Sequence, residues 1–357
     1  MTQLRFAVIG VGHLGRIHAR LLGQIPDAQL VAIADACEPA RAAAAAEFGV
    51  PGFVDFRDLL GKIDAAIIAV PSRLHHAVGI DLLQHGVHTF VEKPITLNVA
   101  DADDLVAEAA RRRLILQVGH VERFNPAFAA IAPHIHEAKF IDAVRSGPFT
   151  CRSTDIGVVL DLMIHDIDLV LALVNEELVA VQALGSSVIG PNEDWAQARL
   201  TFANGCVANL FASRVAWQAE RSLQVISDSA TASIDFGGRK ARLMRVGSKI
   251  QGGNLEVQEL NAEARTHLKD HLFEEYLPLT DLPVNENANP LLEEQRSFIA
   301  AIRGQQPVTV TGEDGRRALD VAERILTTIA AHQTQSTRSI IRPPHFLPAR
   351  VARRMAG

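Results

Sequence analysis

The sequence predicts an α/β protein with a doubly wound parallel sheet first and an α+β part with a large, open, mainly antiparallel sheet after it. Three observations carry this. Short apolar runs and helical stretches alternate through the first third, a glycine loop joins the first run to the first helix, and the apolar period shifts towards two beyond residue 178.

Residues 4–9, "LRFAVI", have strand length and lead directly into Gly10-Val11-Gly12-His13-Leu14-Gly15. Helical spacing follows in "LGRIHARLLGQI", and then a second strand, "AQLVAIAD", ends in Asp35, twenty residues past Gly15. A GxGxxG alone says little, but strand before, helix after and an acid at the end of the next strand are the context a dinucleotide needs. The glycines allow a tight turn and close approach of backbone to pyrophosphate, which sits on the helix N-terminus. This is the Rossmann arrangement. Asp35 would accept hydrogen bonds from the ribose hydroxyls and repel a 2′-phosphate, and Ala36 offers no basic side chain, so the expected cofactor is NAD.

Strands are expected at 64–70, 87–93 and 114–119, with helices over 38–48, 73–85 and 98–113. Ligands on such sheets lie beyond the carboxyl ends of the strands. That rule points to Val70, Pro71 and Ser72, to Glu92, Lys93 and Pro94, and to Gly119 and His120. Pro94 keeps Lys93 out of the α region, so this lysine ends an extended segment. It could donate or accept a proton at a substrate oxygen, or simply be solvated at a strand end.

"GVVLDLMIHDIDLVLAL" (157–173) reads as a buried helix with Asp161, His165, Asp166 and Asp168 set into it. At about 100° per residue, 161, 165 and 168 share one stripe while 166 points elsewhere, as a surface or interface residue. Buried polar groups must be paired, wet or used. An imidazole exchanges protons near neutral pH, so the stripe suits catalysis. An internally satisfied core network fits the helix equally well.

The bulk numbers exclude several classes. At 357 residues, 48% hydrophobic and 21% charged, the chain is long enough for two domains, and a net charge of −6 suggests neither nucleic acid nor an anionic membrane as partner. Cys37, Cys151 and Cys206 are odd in number and lack a CxxC, which fits a reducing, cytoplasmic setting. "MTQLRFAVIGVGHLG" reads as a first strand, not a signal peptide, and no apolar stretch reaches membrane-span length. His75-His76 and His134-Ile135-His136 lack a third ligand at useful spacing, so no metal is expected; His75 has a better use beside the nicotinamide.

Taken together, "GVGHLG", "VPSRLHH" (70–76), "EKP" (92–94), Asp161-xxx-His165-xx-Asp168 and "NPLLEEQRSFIAAIRGQQPVTVTGEDGRRALDVAERI" (289–325) resemble the glucose–fructose oxidoreductase/inositol dehydrogenase (Gfo/Idh/MocA) family over nearly the whole chain. The resemblance implies hydride transfer between NAD(P) and a sugar or polyol carbon, a catalytic set of Lys93, Asp161 and His165, and a cis Lys93–Pro94 bond. "VGHVERFNPAF" (118–128) with 155–173 resembles the subgroup acting on the 3-hydroxyl of UDP-N-acetylglucosamine-type sugars, whose 3-keto products go to a transaminase, in some bacteria for lipid A or surface polysaccharide. Arg123, Asn125 and Arg152 could then meet sugar or diphosphate oxygens. An ion pair of Arg123 with a neighbouring acid such as Glu122 is the alternative. Other readings of the whole chain are an inositol or free-sugar dehydrogenase and a non-catalytic NAD-binding regulator.

In the second half, Asn204-Gly205 between alternating runs predicts a type I′ hairpin, and Gly237-Gly238 a second. Apolar outer positions such as Leu210 and Phe211 suggest a sheet face covered by another subunit, hence a homodimer or homotetramer. Residues 248–288 lack clear periodicity and read as loop; helices are expected near 290–304 and 313–332. The resulting division is a nucleotide-binding domain over 1–121, a substrate and oligomerisation domain over 122–337, and a basic arm over 338–357.

Overall fold

The protein is described by a computed structural model over residues 2–151, 155–251, 253 and 255–335. Arg152 and the 338–357 arm lie outside the described residues. In the first unit β1 (Leu4–Ile9), α1 (His13–Leu22), β2 (Ala28–Ala34), α2 (Glu38–Phe48), β3 (Gly52–Phe53), β4 (Ala65–Ile68), α3 (His75–Gln84), β5 (His88–Glu92), α4 (Val99–Arg112) and β6 (Leu116–Gly119) follow one another. The strands form a six-stranded sheet in the order β3-β2-β1-β4-β5-β6, parallel throughout. The order reverses between β1 and β4, where such sheets open a crevice for ligands.

The second unit holds α5 (Pro126–Ile131), β7 (Ala138–Ser146), a π-helical turn (Val159–Met163), α6 (Ile164–Val174), β8 (Leu178–Ser186), β9 (Trp195–Phe202), β10 (Val207–Ser213), β11 (Glu220–Ser227), β12 (Ala230–Asp235), β13 (Lys240–Arg245), α7 (Ala262–Asp270) and β14 (Leu279–Asp281). Its eight-stranded sheet runs β14-β13-β12-β11-β7-β10-β9-β8, antiparallel except for the parallel β7–β10 pair. The 248–288 region, expected as loop, contains α7, started by the Asn261 side chain on the Ala264 N–H at 2.8 Å, and the edge strand β14. Among the described residues no helix is long and apolar enough to cross a membrane.

The chain then returns. Residues 289–324, with α8 (Pro290–Ile302) and the first half of α9 (Gly312–Gln335), cluster with the first unit instead of with the 122–337 segment, and the described residues of 125–288 with 325–335 form the second. The reason is apolar. Phe298 of α8 packs edge to face on Phe6 at 6.1 Å and on Phe90 at 5.8 Å between centroids, all three fully buried. Each such ring contributes on the order of 2–3 kcal/mol by burial.

Two local expectations change. In the β9–β10 hairpin only Gly205 takes positive φ (84°), and its N–H bonds the Phe202 carbonyl at 2.9 Å. Asn204 keeps negative φ and caps the Cys206 N–H, so the loop is not type I′. Leu210 faces inward and only Phe211 outward, because neighbours on a strand point to opposite faces.

Candidate active site

In the first unit the glycine loop has the build a dinucleotide requires. Gly10 sits at φ +88°, and a Cβ there would lie 2.6 Å from the Ala69 carbonyl carbon. At Gly15 it would lie 1.9 Å from the Gly10 oxygen. Gly12 differs: a Cβ would meet nothing within 4 Å, and as the N-cap of α1 it leaves the helix's first amides without a side-chain cap. Packing demands glycine at 10 and 15, whereas 12 opens onto the space where a pyrophosphate would lie. Asp35, partly exposed at the end of β2, accepts the Val11 N–H at 2.8 Å and the Cys37 N–H at 2.8 Å. His13 is exposed and Leu14 half-buried at the start of α1. These residues fit NAD.

The strand-end residues divide by burial. Val70, Ser72 and Lys93 are half-buried and Pro71 exposed, at the carboxyl ends of β4 and β5. His75 is buried instead, its ring nitrogens 2.8 Å from the Pro94 carbonyl and 3.0 Å from that of Val70. Burial holds its pKa below the ordinary value, against the pull of those two carbonyls. Glu92 and His120 are buried too. Glu92 meets His18 at 2.6 Å behind the sheet edge. The Lys93–Pro94 bond is cis. Arg123 lies 4.0 Å from Asp314, an acidic neighbour of the kind expected for it though not the adjacent Glu122. Asn125 caps α5 through the Ala127 N–H at 3.1 Å. His76 faces Asp104 at 3.4 Å and Asp101 at 3.9 Å, carboxylates that α4 supplies and that linear spacing does not show.

In the second unit the polar helix starts as the π-turn Val159–Met163 and becomes α6 at Ile164. Such turns widen the helix locally and occur often at functional sites. Asp161 and His165 are the half-buried polar groups of this stretch; Asp166 and Asp168 are buried. Asp168 thus lies deeper than the shared stripe implied. Asp166 is no surface residue: Arg145 of β7, itself 4% exposed, bonds it at 2.8 Å.

The sequence reading missed what holds this helix's start. Glu193 accepts the Val159 N–H at 3.1 Å, and its backbone carbonyl takes the Val158 N–H at 3.0 Å. Gly157 makes room, since a Cβ there would lie 2.0 Å from the Glu193 carboxylate. Arg214 bonds the Ile156 carbonyl at 3.0 Å and Asp194 at 2.6 Å. Burial pushes the Glu193 carboxyl up to about 7, against the Val159 bond and the Arg214 charge. The signal was available in "NEDW", two adjacent acids just before a strand.

Comparison with known proteins agrees with this construction. The oxidoreductase-family description with an NAD-binding Rossmann fold (GFO/IDH/MocA) matches residues 4–120, and the GFO/IDH/MocA C-terminal domain matches 135–233. UDP-N-acetylglucosamine 3-dehydrogenase of Acidithiobacillus ferrooxidans is 35% identical over 332 residues, 93% of this chain and 99% of the relative. A solved structure of that enzyme superposes with a TM-score of 0.80 at 33% identity, covering 93% of this chain and 99% of the other. Myo-inositol 2-dehydrogenase of Thermotoga maritima is 26% identical over 88% of this chain and 93% of its own length. The chain is a member of the GFO/IDH/MocA family of NAD-dependent oxidoreductases.

Proposed function

We propose that the protein oxidises the C3 hydroxyl of a UDP-N-acetylamino sugar, with UDP-N-acetylglucosamine as the first candidate, to the 3-keto sugar nucleotide. The observation that carries this reading is the match at 35% identity over 93% of this chain to an enzyme of that name, against 26% over 88% for the myo-inositol dehydrogenase named above. Arg123, half-buried in the turn Val121–Phe124 of the first unit, suits an anionic diphosphate.

NAD would supply the hydride acceptor for C3. The protein's part is to align the carbon and to take the hydroxyl proton. Lys93, on a turn fixed between Glu92 and Pro94, is assigned that proton transfer, directly or with His165. Asp161 is assigned the orientation of the sugar hydroxyl. Alcohol and NAD⁺ give ketone, NADH and one proton, which leaves through these side chains. The product would suit a transaminase feeding lipid A or another surface polysaccharide. We place the enzyme in the cytoplasm, in keeping with three unbridged cysteines. Its partner would be a second copy of itself, as homodimer or homotetramer, over the sheet face that exposes Phe211.

The test is NADH formation with UDP-N-acetylglucosamine, myo-inositol and glucose, the ketone being trapped with hydroxylamine and weighed. A sugar-nucleotide oxime with turnover lost in Lys93→Ala supports the reading. Turnover of the free polyols alone overturns the substrate, and full turnover in Lys93→Ala overturns the assignment of Lys93.

A further inference from the structure

Behind the Lys93 turn lies a buried group of side chains that the proposed reaction leaves unused. His18 Nε2 of α1 meets Glu92 Oε1 at 2.6 Å, and its Nδ1 meets Gln295 Nε2 at 2.7 Å. The same amide nitrogen donates to the His18 carbonyl at 3.2 Å, which fixes it as a donor. His18 Nδ1 is therefore an acceptor, and Nε2 carries the proton that Glu92 accepts. Glu92 Oε2 in turn accepts the Lys93 backbone N–H at 3.2 Å.

Glu294 of α8 stands beside this chain. It is 0% exposed, and neither carboxyl oxygen has a hydrogen-bond partner among the described residues. One ligand atom each from His18, Glu92 and Glu294 lie within 4.8 Å of one another. A metal could be imagined here, but 2.6 Å between His18 and Glu92 is the length of a shared proton. Two ligands at about 2.0–2.1 Å from a tetrahedral zinc stand more than 3 Å apart. Two buried carboxylates this close cannot both be ionised without a cation. Since Glu92 already accepts from His18 and from Lys93, the missing proton belongs on Glu294.

The elements packed against α8 bring these groups to its neighbourhood. α1 supplies neutral His18 and β5 supplies Glu92, which His75 also senses. The turn Val121–Phe124 carries Glu122 and Arg123, the latter near Asp314. β6 supplies Gln117, whose amide donates to the Glu294 backbone carbonyl at 2.8 Å. Burial first, and then the charge of Glu92, raise the Glu294 carboxyl well above its ordinary value.

We propose that Glu294 is a positioning residue for Lys93: as a neutral carboxylic acid against Glu92, it lets Glu92 stay ionised between His18 and the Lys93 amide, and so fixes the Lys93 turn. This rests on the role given to Lys93 above. Loss of the Glu294 proton would set two negative charges face to face and loosen that turn.

The test combines infrared spectroscopy of the full-length protein with pH profiles of turnover. At pH 7 the wild type shows the carbonyl stretch of a buried carboxylic acid, which vanishes in Glu294→Gln and fades in wild type as pH rises. Glu294→Asp, which keeps a carboxyl but retracts it, shifts the band and serves if the glutamine variant does not fold. Glu294→Ala lowers kcat about tenfold or more with little change in KM for NAD. Glu294→Gln recovers much of that loss and removes the alkaline fall of kcat. No Glu294-dependent band at pH 7 overturns the proposal, as does an alkaline limb identical in Glu294→Gln and wild type. The band needs no substrate, so a band present beside a silent sugar assay counts against the substrate reading and not against Glu294.

Discussion

Asp35 reaches back from the end of β2 to accept the Val11 N–H at 2.8 Å, tying the second strand to the middle of the glycine loop. Its other oxygen holds the Cys37 N–H at the start of the next helix. The carboxylate therefore shapes the loop before it meets any ribose. A charge-assisted bond of this kind is worth about 1.5–3 kcal/mol. Asp35→Ala should weaken NAD binding by about tenfold to a hundredfold. It should not create NADP preference, because no cation replaces the acid. Titration of both cofactors against intrinsic fluorescence, the chain having two tryptophans, checks this.

The two inner glycines separate folding from binding. Gly12→Ala adds a methyl group where the protein has nothing within 4 Å, so the melting temperature should stay within about 2 °C of wild type while NAD affinity falls tenfold or more. Gly15→Ala drives a methyl group onto the Gly10 carbonyl and should lower both. Calorimetry with and without NAD distinguishes the two.

Arg145 and Asp166 form a pair buried on both sides. Removing one partner leaves an uncompensated interior charge, at a cost of about 3–5 kcal/mol. Arg145→Met and Asp166→Leu should each destabilise strongly, and the double variant should recover a large part of the loss. Denaturant unfolding in a double-mutant cycle measures the coupling.

Glu193 predicts a pH slope. Its carboxyl titrates near 7 in the folded protein against about 4.5 when unfolded. Between those values the native state holds the extra proton, so this contribution is complete below pH 4.5 and is lost as pH rises through 7. The loss is on the order of 3 kcal/mol. Glu193→Gln should flatten stability over that window, and thermal melts from pH 4.5 to 8 would show it.

The first unit was legible because its signals are local: glycines next to a strand, an acid at the following strand end, a proline after Lys93. Asp161 and His165 stand out from their apolar surroundings in the sequence, and both are half-buried in the structure. What escaped depends on distant partners. Nothing near Asp166 announces Arg145, 21 residues upstream, so its angle on the helix suggested solvent. Glu294 beside Glu293 looks like an ordinary helix surface, although it sits one turn before the buried Phe298 on the same face. The return of α8 was hidden for the same reason, since an amphipathic helix does not say which sheet it covers.

That return sets an order on the ribosome. Phe6 and Phe90 leave the exit tunnel early, yet the ring that seals them, Phe298, is made only after every strand of the other sheet has been translated. A nascent chain halted before residue 289 holds all six parallel strands and an open greasy face. The first unit is thus the first to be synthesised and cannot be the first to be finished, and stalled chains of this protein would be natural clients for chaperones that cover apolar surface.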